Sequence, residues 1–346
     1  MGISISREER LRCILHGQHL TAPAKKLAVC RELNGLQAQY VSCAFHALRI
    51  RCGEPLAEQS WGEGLVKSWS VRGTMHVFAA SDLPLYLHEG RTHFLRPQDK
   101  MEADEWITLA RKQQFAGRIV QLIGQGVTGR EQLRAACLAE GLTEREAQSV
   151  FDPWGGTLRY LAETGRICYR VQQKKEFCLC PAFRPLPRGQ AELEQARRYF
   201  AHYGPATVRD AAYYFGVSQA CVRAWMDQLP LTEVRAGDKN CYLLGELPDA
   251  PALPECVFLA GFDPLLLGYQ KKESPFLPPE YLRGIFSLGG IVQPAVLVRG
   301  AVAGSWKRRG TTLAVTCFRT LERAERQALR AAAEQTFPQL KKLELA

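Results

Sequence analysis

The 346-residue sequence contains no C-x-x-C pair, no H-E-x-x-H, no G-x-S-x-G and no glycine-rich phosphate loop. These absences argue against a zinc ribbon or finger, a zinc metalloprotease, an α/β-hydrolase and a nucleotide-cradling fold. Histidine is scarce, with seven residues. The one close pair, His16-Gly-Gln-His19, is spaced too tightly for half a zinc finger and has no cysteine pair nearby. Twelve cysteines are scattered from Cys13 to Cys317, the closest pair being Cys178-Leu-Cys180. That dispersion reads as reduced, buried thiols of a cytoplasmic protein, so no disulfide framework, no metal and no cofactor is expected. Long apolar runs are also missing. The uncharged interval between Arg283 and Arg299 is broken by glycine and proline and falls short of the ~18 apolar residues a membrane span needs. The opening MGISISREERLR is charged by its seventh residue, with no apolar core of a signal peptide.

Acid is the scarcer charge, with 35 Asp and Glu against 45 Lys and Arg, a formal net charge of +10. A basic balance favours an acidic partner, nucleic acid ahead of a membrane surface. Hydrophobic residues at 46% and charged residues at 23% are those of an ordinary globular chain. At about 150 residues per domain the length suggests two domains, or more if they are small.

What is present is a repeated helical grammar. Apolar residues recur at helical spacing from Glu105 to Gly124. A turn at Gly124-Gln125-Gly126 follows, then Thr128 as the expected cap of a helix stopping at Gly141, then a helix in WGGTLRYLAETG. ICYRVQQKKEFCLC reads as two alternating strands around a polar tip. The order returns downstream: a helix in AELEQARRYFAHYG, helices capped by Thr207 and Ser218, and a hairpin around Ala236-Gly237-Asp238. Helix, turn, capped helix, helix and hairpin is the winged variant of helix-turn-helix.

The first 100 residues fit a looser copy, with helices over Arg7–Leu15, Lys25–Leu33 and Tyr40–Cys52 and a single alternating wing strand over Ser68–Phe78. Pro181 to Pro187 and Pro248 to Pro254 read as linkers. The last ~90 residues turn to glycine and β-branched residues. They predict a β-barrel-like or curled sheet with a tight hairpin at Gly300, closed by a helix over Glu322–Gln335. The expected fold is therefore mainly α with β: tandem winged-helix domains over 1–100, 101–185 and 186–250, then a β-barrel-like domain over 251–346.

Chemistry centres on GLQAQY, Gly35 to Tyr40. On a helix, residues two apart point nearly opposite ways; in an extended segment they share a side. For Gln37 and Gln39 to serve one site, the helix must begin after them, and Asn34-Gly35 makes an irregular entry plausible. On composition alone, two surface glutamines are the simpler account. Arg72, Thr74 and His76 alternate along the expected wing strand and are candidates to face DNA, with an exposed polar face as the alternative. From Arg299 onward ten basic residues stand against four acidic. Lys307-Arg308-Arg309, on a hairpin, suit phosphate contact. Trp306 suits stacking beside a base or packing in the barrel. Asp263, before Pro264, suits capping a loop or approaching a lesion.

GLQAQY, WSVRGTMHVF (Trp69 to Phe78), FDPLLLGY (Phe262 to Tyr269) and VLVRGAVAGSWKRR (Val296 to Arg309) together resemble the bacterial winged-helix DNA glycosylases of the AlkZ and YcaQ type, in order and over nearly the whole chain. The resemblance implies a concave DNA-binding surface and a catalytic Gln, apolar residue, Gln or Asp motif. Gln37-Ala38-Gln39 matches the Gln-Gln form. It further implies excision of N7-alkylated purines, with interstrand crosslinks among the substrates of some members.

The chemistry supports that assignment independently. Glycosidic hydrolysis passes through an oxocarbenium-like state. N7 alkylation makes the base cationic and a good leaving group, so no strong acid is needed. An amide oxygen can accept a hydrogen bond from the attacking water and an amide NH₂ can orient a second oxygen. A glutamine pair thus fits bonds that are already weakened. With no lysine implicated, a monofunctional enzyme that leaves an abasic site is expected. The expected partner is double-stranded DNA carrying alkylated bases, with no membrane, bound by a cytoplasmic, nucleoid-associated monomer. The alternative is a non-catalytic winged-helix regulator or lesion sensor.

Overall fold

The computed structural model describes residues 3–90 and 96–346. It is a mixed helix and strand fold that divides into two compact units. The first comprises Met1–Trp61 with Glu192–Ala346, the second Gly62–Ala191.

In the first unit the opening helix, Arg7–Gly17, starts where a Ser6–Glu9 capping box satisfies the free amides of its first turn. Helices follow at Lys26–Glu32 and Val41–Arg49. The chain returns with the Arg188–His202 helix, then Val208–Phe215 and Gln219–Met226, capped by Thr207 and Ser218 as their sequences predict. The hairpin Leu231–Ala236 with Lys239–Leu244 turns at Gly237, and Ile3–Ile5 adds to it in parallel.

The C-terminal sheet runs in the order Lys342–Leu345, Thr312–Cys317, Ala301–Arg309, Ala295–Val298, Cys256–Phe258. The tight turn falls at Arg299-Gly300, both at positive φ. The closing helix, Arg323–Thr336, lays Leu329 and Ala333 on a core with Phe258, Val296, Leu313 and Val315. The sheet is open: no closed barrel is found among the described residues, and the two outermost strands remain edges. Here the terminal helix covers the apolar face that barrel closure would otherwise bury.

The second unit packs four helices, Leu109–Gly124, Arg130–Ala139, Glu144–Val150 and Gly156–Glu163, around Phe115, Ile119, Leu133, Leu158 and Leu161. Within it four strands run in the order Met75–Ala79, Leu65–Trp69, Ile167–Tyr169, Phe177–Leu179.

Three details depart from the sequence expectations. The cap before Arg130 is Gly129, whose amide donates to Gln132 Oε1, while the Thr128 carbonyl accepts from Phe177. The Glu144–Val150 helix is additional, although its Thr143–Glu146 capping box is written in the sequence. And Ser68–Phe78 is not one strand but a hairpin: Leu65–Trp69 turns through Val71–Gly73 into Met75–Ala79. Arg72 and Gly73 both sit at positive φ, which reverses the chain although the apolar alternation runs straight through.

Candidate active site

The segment carrying Gln37 and Gln39 begins where the Lys26–Glu32 helix unwinds. Asn34 and Gly35 take left-handed conformations, φ +56° and +81°. Asn is among the few residues other than Gly that tolerate this. The buried Asn34 amide donates to the Gln195 carbonyl at 3.0 Å, and Gly35 N–H donates to the Cys30 carbonyl at 2.8 Å. The chain then extends through Leu36-Gln37 and enters the Val41–Arg49 helix only after Tyr40, which is itself in an extended conformation. Leu36 and Ala38 are wholly buried, Gln37 is 9% exposed and Gln39 is exposed. Gln37 is thus buried at the end of this strand, and Gln39 lies exposed in the bend before Tyr40.

A buried ion pair braces this region from below. Arg51 donates to Asp263 through both guanidinium branches, at 3.0 and 2.6 Å, and also to the carbonyls of Gln18 and Ala47, each at 2.9 Å. Asp263 accepts in addition from Ala260 N–H and Leu265 N–H, capping the short Pro264–Leu267 helix. Its role is the structural one of holding a loop. That loop presents Phe262, at φ +55°, to Tyr40, with ring centroids 5.7 Å apart. Tyr40, 48% exposed, adjoins Gln39.

Beside this lies a cleft of about 690 Å³. Ser42, His46 and Arg49, on one face of the Val41–Arg49 helix, line it together with Trp306, Arg308 and Phe337. The Arg49 and Arg308 guanidinium carbons lie 5.8 and 5.6 Å from the Phe337 ring centroid. Burial, with Arg308 nearby, lowers the Arg49 pKa. Two cations gathered on one ring favour an anion in the cleft. His46 Nε2–H donates to the Phe258 carbonyl at 2.8 Å, and Nδ1 accepts from Arg49 at 3.4 Å. Burial pushes the His46 pKa down to about 4, so at neutral pH it is an uncharged wall rather than an acid.

The expected DNA-facing residues separate. Trp306 donates Nε1–H to the Leu259 carbonyl at 2.8 Å and packs on His46 and Phe337, so its indole is a half-buried wall of the cleft. Lys307, Arg308 and Arg309 are exposed at the end of their strand. Alternation divides them: Arg308 shares the face of Trp306, while Lys307 and Arg309 point the other way.

In the second unit, Arg72 lies in the turn and Thr74 just beyond it, while His76 is buried on Met75–Ala79 with Nδ1 3.1 Å from the Thr74 carbonyl. The three therefore do not line one strand face. Arg49, Arg51 and His46 escape sequence reasoning. Their only signal is the helix that follows the glutamines, ending in Arg-Ile-Arg.

Residues 30–337 match the family model described as DNA glycosylase AlkZ-like. The chain belongs to this family. Its relative, the interstrand DNA cross-link repair glycosylase of Streptomyces sahachiroi, is 27% identical over 328 residues, covering 88% of this chain and 87% of that protein. The solved structure of S. sahachiroi DNA glycosylase AlkZ matches with a TM-score of 0.78 at 23% identity, over 99% of this chain and 100% of that one, which establishes the shared fold. This AlkZ-like chain is accordingly a DNA glycosylase, and the alternative of a non-catalytic regulator falls away.

Proposed function

We propose that this AlkZ-like protein hydrolyses the glycosidic bond of N7-alkylated purines in duplex DNA, with Gln37 and Gln39 holding the attacking water. The observation that supports this reading is that both glutamines lie ahead of the Val41–Arg49 helix, in a non-helical entry anchored by buried Leu36 and Ala38. The water must sit within about 2.6–3.2 Å of the amide groups that orient it. Neither amide removes a proton at neutral pH, so the leaving base must already be cationic. The name of the S. sahachiroi relative extends the reading to interstrand crosslinks, and bulky N7 adducts are proposed alongside them.

Such lesions resist flipping, because the partner strand comes with them, so an open channel suits them better than a deep base pocket. Three winged-helix modules and the C-terminal sheet, with the boundaries given above, are each proposed to contribute to DNA binding, by a monomer. Arg49 and Arg308 are the proposed phosphate grip of the cleft, with Lys307, Arg309 and Arg72 making peripheral contacts.

The reaction is proposed to be monofunctional. The group that a lyase step would need is an unprotonated lysine, and Lys67 comes nearest: buried, with its pKa lowered to about 8 by burial and by Lys175. The test is incubation of the protein with duplex DNA carrying one N7-methylguanine, and separately with an N7-linked crosslink, with and without borohydride. Free base, an abasic strand and no trapped covalent adduct are expected. Binding without release from either substrate refutes the proposal. Trapping that disappears in Lys67→Gln refutes its monofunctional part.

A further inference from the structure

We propose that His19, Glu32 and His202 bind one divalent transition cation, zinc by ligand chemistry, which clips the turn leading to Gln37 onto the Arg188–His202 helix. The inference does not rest on the glycosylase reading. The three side chains come from separate segments of the first unit, and their ligand atoms all lie within 4.8 Å of one another. His19 Nε2 is 2.7 Å and His202 Nε2 3.8 Å from Glu32 Oε2. Two ligands on a tetrahedral ion with bonds of about 2.0–2.1 Å stand about 3.3 Å apart. The observed spacings straddle that value.

The orientation of the two rings suits a cation. His19 Nδ1 lies 3.3 Å from the Ala22 carbonyl, and His202 Nδ1 lies 3.1 Å from the Gly17 carbonyl. A carbonyl only accepts, so each Nδ1 donates there and each Nε2 is the nitrogen turned toward Glu32, which in the neutral ring offers its lone pair to a cation. Backbone oxygens fixing the far nitrogen in this way are the usual support of a metal-bound imidazole. Both Nε2 atoms face the Glu32 carboxylate, so one nitrogen from each ring and one carboxylate oxygen converge on a single point. His19 Nε2 is buried and makes no in-line hydrogen bond despite its short approach to Glu32.

The surroundings add to the field and the rigidity. The Arg7–Gly17, Lys26–Glu32 and Arg188–His202 helices all end at this point. Their C-terminal carbonyls place three partial negative charges around it. Gln18 Nε2 donates to the His202 carbonyl at 3.0 Å, and Arg198 Nη1 donates to the Arg31 carbonyl at 2.9 Å. A Cβ on Gly17 would meet the His202 carbonyl oxygen at 2.8 Å, so the backbones approach as closely as glycine allows. Three protein ligands leave a fourth place for water. Glu32 is separated from Gln37 only by the Asn34-Gly35 turn, so the cation acts as a brace on the catalytic segment and takes no part in a bond-breaking step. Expecting no metal from the lack of C-x-x-C looks for neighbours in sequence, whereas these ligands meet only in the fold.

The test uses untagged full-length protein, stripped with chelator and titrated with zinc against a chromophoric competitor. Cobalt is then loaded as a spectroscopic probe. One equivalent of zinc is expected, with a rise in Tm and cobalt d–d bands free of thiolate charge transfer. His19→Gln and His202→Gln are expected to bind at least about tenfold more weakly while keeping the wild-type circular dichroism; Glu32→Gln serves should either fail to fold. Absence of stoichiometric zinc, thiolate bands from the cysteines, or variants that bind as wild type does would each overturn the site. Every readout is metal or Tm, so the outcome is independent of base release.

Discussion

Two stretches are proposed to meet DNA, and they are held in opposite ways. Gln37 to Gln39 is fixed from several sides: by the left-handed turn at Asn34-Gly35, by buried Leu36 and Ala38, and by the helix that Arg51 and Asp263 lock beneath it. Lys307 to Arg309 is an exposed strand end secured by pairing with Thr312–Cys317 and by an Arg308 bond to the Gly310 carbonyl. The contrast matches the work each must do. Positioning a water tolerates errors of a fraction of an ångström, so its supports are buried and numerous. Phosphate attraction reaches across a Debye length, so long solvated side chains suffice.

The sharpest break of that contrast is Asp263→Ala. It leaves the Arg51 guanidinium, wholly buried, without its carboxylate. A loss of about 3–5 kcal/mol in urea unfolding is expected, with base release lost alongside. A change below about 1 kcal/mol would mean that the pair does not brace the site.

His46 probes the same buried side through pH. Its pKa is about 4 in the fold against 6.5 ordinarily. Between those values the unfolded chain holds the proton and the folded chain does not, so stability present above pH 6.5 is lost as pH falls toward 4. At about 1.4 kcal/mol per pH unit the loss approaches about 3 kcal/mol. Urea midpoints of wild type and His46→Gln at pH 7.5, 5.5 and 4.5 check this: the variant should lack that part of the slope.

On the solvated side the effects are smaller. Lys307→Ala and Arg309→Ala should each weaken DNA binding several-fold at low salt and make the log–log salt slope shallower by about 0.9 per lost phosphate contact. The single-turnover rate on saturated DNA should stay unchanged. Arg308→Ala, which also removes a cation from the cleft, should lose more than either. Equal losses for all three would erase the distinction between cleft and rim.

Much of the architecture is legible in the sequence because it is local. Caps at Thr207 and Ser218, the turn at Gly300 and the terminal helix all follow from neighbouring residues. The helix start at Val41 falls one residue after the Tyr40 start that the apolar spacing suggests, behind the irregular entry that Asn34-Gly35 signals. The Ser68–Phe78 hairpin is hidden because alternation persists through a turn whose reversal depends on Arg72 and Gly73 at positive φ. The Arg51–Asp263 pair and the His19–Glu32–His202 cluster join residues far apart in the chain, and no spacing rule reaches across the intervening segments.

The central claim, that Gln37 and Gln39 share one water, is tested most directly by single-turnover release of N7-methylguanine from a defined duplex. Wild type, Gln37→Ala, Gln39→Ala and the double variant are compared, with Kd measured at the same salt. Each single variant is predicted to bind within about threefold of wild type and to lose about 100-fold or more in rate, the order seen when one positioned polar group is removed from a reaction centre. The double variant should lose less than the product of the two, because both act on the same molecule. A double variant that releases base at the wild-type rate would contradict the account.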